Sequence, residues 1–137
     1  MKSTVEQVLH GRRILLVEDN AVNRAIARSF LESAGCMVED AVNGAQALEM
    51  LCAQFPDHFD LILMDLQMPV MDGYETAQRV RALPDPRLSA IPIVTMTANA
   101  LAQDIEREYA CGVTRHLSKP IDLTALRAAL CEALREN

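Results

Sequence analysis

The chain of 137 residues has no tryptophan, and only 4% of it is aromatic. That leaves little with which to wall a planar cofactor between rings. Basic residues are scarce too: 13 Lys and Arg face 19 Asp and Glu, a formal charge of -6. Such a balance argues against nucleic acid or an anionic lipid surface as partner, because phosphate contacts need cations. The four cysteines, Cys36, Cys52, Cys111 and Cys131, form no CxxC pair. Zinc and redox pairing therefore have no sequence support, and the thiols read as small buried apolar residues in a reducing, cytoplasmic setting. His10, His58 and His116 stand at no metal-ligand spacing. No apolar run is long enough to span a bilayer. The longest charge-free stretch, Leu88 to Gln103, contains Pro92, Thr95, Thr97 and Asn99. The N-terminus lacks the apolar segment of a secretory signal.

What remains is a core-forming chain, 50% hydrophobic and 23% charged, of a size that suits one domain. Apolar runs alternate with helical stretches. Ile14-Leu15-Leu16-Val17 reads as a strand buried on both faces, and Leu61-Ile62-Leu63-Met64 as another. Met37 to Ala41, Ile91 to Thr97 and Val113 to Leu117 supply three more strands. Between them Val22, Ile26 and Phe30 make one helical stripe, and Leu101, Ile105 and Tyr109 another. Asn43 and Asp122 stand where helix caps are expected, ahead of Ala47, Leu48 and Leu51 and of Leu123, Leu126 and Leu130. Ala77, Val80 and Leu83 mark the third helix. Pro84, Pro86 and Pro92 predict a loop without helix. Five β-α units of this kind imply a doubly wound parallel sheet with helices on both faces. Residues 1–11 fall outside the pattern and read as a linker or a short N-terminal extension, leaving 12–137 as the domain.

In such a sheet, ligands bind beyond the carboxyl ends of the strands. Those ends carry Glu18 and Asp19, then Asp65, Thr97 and Lys119. Each alone has a plainer role as helix cap, solvated charge or β-branched strand residue. Jointly they place three carboxylates on one rim. Two unit charges about 4 Å apart repel by about 4 kcal/mol at an effective dielectric near 20. Lys119 offsets one charge, and a hard divalent cation with oxygen ligands would offset the other two. A neutralised site of this sort suits a phosphoryl group, with the Thr97 hydroxyl as hydrogen-bond donor and Asp65 as nucleophile.

These residues closely resemble the receiver (phosphoacceptor) domain of two-component response regulators. The matching stretches are Ile14 to Asn20, Met64-Asp65-Leu66-Gln67-Met68-Pro69-Val70-Met71-Asp72-Gly73, Thr97-Ala98-Asn99-Ala100 and Lys119-Pro120. The resemblance implies a flavodoxin-like α/β fold of five β-α units with strand order 2-1-3-4-5. It implies that Asp65 takes a phosphoryl group from a phosphohistidine in a Mg²⁺- or Mn²⁺-dependent reaction. Asp19, Asp65 and the backbone carbonyl of Gln67 would bind the metal, with Glu18 acting through water. Lys119 would contact the phosphoryl group through a loop with a cis Lys119-Pro120 bond, and Thr97 would move toward it. Gln67 and Asn99 would tune dephosphorylation. The surface made by roughly 99–109, 113–117 and 123–135 would then shift. A histidine kinase or histidine phosphotransfer domain would be the partner, docking near Val22 and Ile26.

One position departs from the family. Three residues before the lysine, where an aromatic side chain is common, stands His116. It reads either as a charge-bearing replacement for the aromatic switch or as an exposed edge histidine. The sub-pattern Val17-Glu18-Asp19-Asn20 with Asn23, Gly35 and Ala41-Val42-Asn43-Gly44 is most similar to receivers of hybrid sensor histidine kinases. A stand-alone regulator is the alternative, and neither form is an enzyme beyond its own phosphorylation and dephosphorylation. A phosphatase of the haloacid dehalogenase type would need an acid at Gln67. A flavodoxin would bring its phosphate against an acidic loop. A degenerate receiver would not keep all five residues.

Overall fold

A computed structural model describes residues 5–98 and 101–135. Five parallel strands, β1 (Arg13–Val17), β2 (Met37–Ala41), β3 (Leu61–Asp65), β4 (Ile93–Thr97) and β5 (Arg115–Ser118), lie in the order β2-β1-β3-β4-β5. The central strands explain the continuous apolar runs. Ile14 to Val17 and Leu61 to Met64 are all fully buried because helices cover both faces. Ile14, Leu16, Leu61, Leu63, Val94 and Met96 meet α2 (Ala21–Ser33) and α7 (Leu123–Arg135) on one side. Leu15, Val17, Ile62, Met64 and Ile93 meet α3 (Gly44–Ala53) and α4 (Gly73–Arg81) on the other.

Caps set where the helices start, and hence where the strand ends open. Asn20, Asn43 and Asp72 each accept a hydrogen bond from a first-turn backbone N–H, and Asp122 does the same for α7. The lysine–proline bond at 119–120 is cis, as expected.

Several expectations need correction. Proline does not exclude helix after α4: Pro86–Ser89 forms a short helix, α5, with Pro86 in its first turn and Asp85 as cap. The missing proline N–H is one that a first turn leaves unpaired anyway. β4 starts at Ile93, not Ile91, since the Ile91 N–H closes the α5 turn on Leu88. β5 is displaced toward Ser118, because the Val113 N–H is taken by Glu108 at the end of α6 (Ala102–Ala110). The Val22/Ile26 stripe is exposed, and α2 instead buries Ala27 and Leu31. Likewise Leu101 and Tyr109 are exposed on and before α6. Cys52 is exposed, while the other three thiols are buried.

Ahead of β1, Val5–Leu9 forms a helical turn, α1, that packs on α7. Val8 and Leu9 join the core beside Leu130 and Leu134. Leu9→Ala is expected to cost about 2–4 kcal/mol in urea unfolding, as for other fully buried leucines. An unchanged midpoint would place α1 outside the cooperative unit.

Candidate functional site

The carboxyl ends of β1 and β3 are adjacent, with Val17 in register with Met64. Glu18 and Asp19 therefore leave β1 beside Asp65. Ligand oxygens of Glu18, Asp19 and Asp65 all lie within 4.8 Å of one another, the only such acidic, cysteine or histidine group among the described residues. Glu18 and Asp65 are buried, Asp19 is exposed, and the Asp65 side chain keeps 9% of its surface open. The acid is reachable, but only from the mouth of the cleft.

Lys119 enters from the far side of the sheet. Its Nζ lies 3.0 Å from Glu18 Oε1 and 3.3 Å from Asp65 Oδ2. The bond from its backbone N–H to the Thr97 carbonyl (2.8 Å) fixes the turn that presents it. Burial alone would lower the pKa of its ammonium, but Glu18 and Asp65 outweigh that and raise it. Glu18 is pushed up to about 7, first by burial and then by Asp65, with Lys119 pulling the other way. A single lysine thus leaves the acidic cluster under-neutralised.

The backbone around the acids is held tightly. The Glu18 N–H donates to Ala41 O at 3.0 Å, and its carbonyl accepts from the Arg24 guanidinium at 2.9 Å. Sequence reasoning misses Arg24, since nothing in its spacing distinguishes it from a surface arginine on α2. The Gln67 N–H donates to Asp65 Oδ1 at 3.2 Å. Gly73 must lack a side chain: a Cβ there would lie 2.8 Å from Leu66 Cα and 3.0 Å from the Asp65 carbonyl.

Thr97, one step beyond the Asp65–Met96 register pair, is buried at the end of β4. Asn99 lies outside the described residues. His116 is not an exposed edge residue: its side chain is 9% exposed, and its Nδ1 lies 3.0 Å from Glu108. Glu108 is fully buried, and the sequence does not single it out, since a lone acid on a polar helix carries no pattern. Beside the acids, Asn23, Ile26, Ala98, Lys119, Pro120 and Ile121 line a cavity of about 360 Å³.

The raised Glu18 pKa fixes a sign. A carboxyl that holds its proton more tightly when folded favours folding at low pH, and that contribution is lost as pH rises. Between about pH 4.5 and about pH 7, metal-free protein should lose stability relative to Glu18→Gln. Parallel urea titrations across that range check this, and superimposable pH profiles would contradict it.

A chain of this topology and site matches the family model for the response regulator receiver domain over residues 14–131. It is 37% identical over 130 residues to the hybrid signal transduction histidine kinase K of Dictyostelium discoideum, covering 91% of this chain and 10% of that protein. The receiver domain of sensor histidine kinase PA1611 from Pseudomonas aeruginosa, solved with magnesium coordinated in its active-site cleft, superposes with a TM-score of 0.80 at 37% identity, covering 91% of this chain and 98% of that one. The receiver domain of Saccharomyces cerevisiae Ssk1, solved with the histidine phosphotransfer protein Ypd1, gives a TM-score of 0.75 at 29% identity, covering 91% and 93%. Fold, strand order and sequence agree, and the chain belongs to the response regulator receiver domain family.

Proposed function

We propose that this receiver accepts a phosphoryl group from a phosphohistidine onto Asp65 and passes the event to its α6-β5-α7 surface. The observation that carries the reading is the convergence of Glu18, Asp19 and Asp65 on one lysine. Three carboxylates and one ammonium suit a hard divalent cation with oxygen ligands. Asp19, Asp65 and the Gln67 carbonyl would hold Mg²⁺ or Mn²⁺, with Glu18 acting through water. Bound there, the ion neutralises charge on the phosphoryl oxygens.

Asp65 supplies the nucleophile. As its carboxylate oxygen bonds to phosphorus, the phosphorus–nitrogen bond breaks and the donor imidazole keeps the electron pair. Lys119 already sits against the Asp65 oxygen, where it can follow the new charge. The Thr97 hydroxyl supplies a donor on the adjoining strand. Gln67, two residues after Asp65, and Asn99, two residues after Thr97 in the sequence, would set how long the phosphate survives. Phosphorylation turns one negative charge into about two, and the switching surface shifts its population in response.

The exposed Val22 and Ile26 beside the 360 Å³ cavity fit a docking patch for a histidine kinase or histidine phosphotransfer domain. Among the described residues no helix is long and apolar enough to cross a membrane. The receiver pattern spans residues 12–137 and the packed unit takes in α1 ahead of it; we place this unit in the cytoplasmic part of a hybrid histidine kinase, with catalysis limited to its own phosphorylation and dephosphorylation.

Acetyl phosphate with Mg²⁺ should add one phosphoryl mass to the wild type and none to Asp65→Asn, read by intact-mass spectrometry. A metal-independent gain, or equal gain in the variant, overturns the assignment. Arg24, which fixes the Glu18 carbonyl, should matter indirectly: Arg24→Ala is expected to weaken Mg²⁺ binding roughly tenfold. Calorimetric titration measures this, and wild-type affinity would confine Arg24 to a packing role.

A further inference from the structure

The four longer helices other than α6 grip the sheet with apolar side chains: Ala27 and Leu31, Ala47 and Leu51, Ala77 and Val80, Leu126 and Leu130. α6 differs. Among its described side chains only Glu108 is buried, at 0% exposure, while Asp104 and Ile105 are half-buried. The carboxylate reaches two strands at once. Its Oε1 accepts from the Thr95 hydroxyl on β4, and both its oxygens lie 3.0 Å from His116 Nδ1 on β5. Thr95 and His116 are register partners, so the acid bridges neighbouring side chains on one face of the sheet. On the outer rim Arg107 of α6 stacks 3.9 Å over the Tyr74 ring of α4.

We propose that Glu108 is the positioning residue of the switch: it latches α6 to β4 and β5 in the unphosphorylated protein, and phosphorylation releases that latch. The inference rests on the functional reading above, in which Thr97 responds to a phosphoryl group on Asp65. Thr95 is two residues before Thr97 on the same strand and face, about 7 Å away. Displacement at the end of β4 therefore reaches the latch directly.

The chemistry of the anchor makes it switchable. Apolar contact is non-directional and tolerates small slides. Hydrogen bonds weaken steeply with misalignment, and a buried one that is lost leaves its partners unsatisfied. The latch is not saturated: His116 Nε2, on the far side of the ring from Glu108, has no hydrogen-bond partner among the described residues. A helix anchored by these directional contacts has an attached and a released arrangement, because losing their alignment breaks them.

Hydrogen–deuterium exchange of the α6 amides, with and without Mg²⁺ and acetyl phosphate, tests this, with intact mass recorded in parallel. In the wild type, phosphorylation should speed α6 exchange by about fivefold or more. Glu108→Ala should show that faster exchange before phosphorylation and little further change after it. Glu108→Leu with Thr95→Val, an apolar anchor that leaves His116 in place, should stay slow in both states while gaining the phosphoryl mass normally. Exchange across α2 serves as the folding control, and the apolar pair still discriminates if Glu108→Ala unfolds. A normal mass gain with α6 exchange indifferent to Glu108, or a double variant that responds like the wild type, overturns the latch alone. No mass gain on the wild type overturns the functional reading and the latch with it.

Discussion

Like charges forced together are the constraint from which the rest follows. Glu18, Asp19 and Asp65 are brought within 4.8 Å by the parallel pairing of β1 and β3, and two of the three are buried. Water cannot fully screen such a group, and Lys119 bonds to only two of its members. Burial first, and Asp65 after it, push the Glu18 pKa up to about 7 against the pull of Lys119. The placement of the lysine answers part of that electrostatic problem, and the divalent cation proposed above would answer the rest. A haloacid dehalogenase chemistry would add a proton donor at Gln67, and an amide offers none.

The fold makes this arrangement sustainable. β1 and β3 are sheathed on both faces by apolar side chains, so their ends resist being pushed apart. Backbone contacts then lock the loops. Ala41 and Arg24 hold the two ends of the Glu18 residue, and Gly73 lets α4 approach the Asp65 carbonyl closely. Apolar packing at the bottom of the sheet, where α1 and α7 meet, offsets charge repulsion at the top.

The switching side is built on another principle. Apolar anchoring on α2, α3, α4 and α7 contrasts with the carboxylate under α6. On the proposed reading, apolar anchors hold the elements that accept the charge and a polar anchor holds the helix that reports it. The exposed Val22–Ile26 surface lies on a helix anchored by the buried Ala27 and Leu31.

Much of this was legible in the sequence, because it depends on local pattern. Ile14–Val17 and Leu61–Met64 declared buried strands, and Glu18, Asp19, Asp65, Thr97 and Lys119 followed from standing at strand ends. Helix stripes misled where apolar residues are kept for the surface, as at Val22, Ile26, Leu101 and Tyr109. Pro86 misled because the same ring that breaks a helix interior suits its first turn. Arg24 on the Glu18 carbonyl, Leu9 in the core, and Glu108 between Thr95 and His116 carried no local signal at all. Periodicity along a chain decides which face a residue takes. Which partner meets it across a sheet depends on the packing of elements far apart in sequence, and only the tertiary structure decides that.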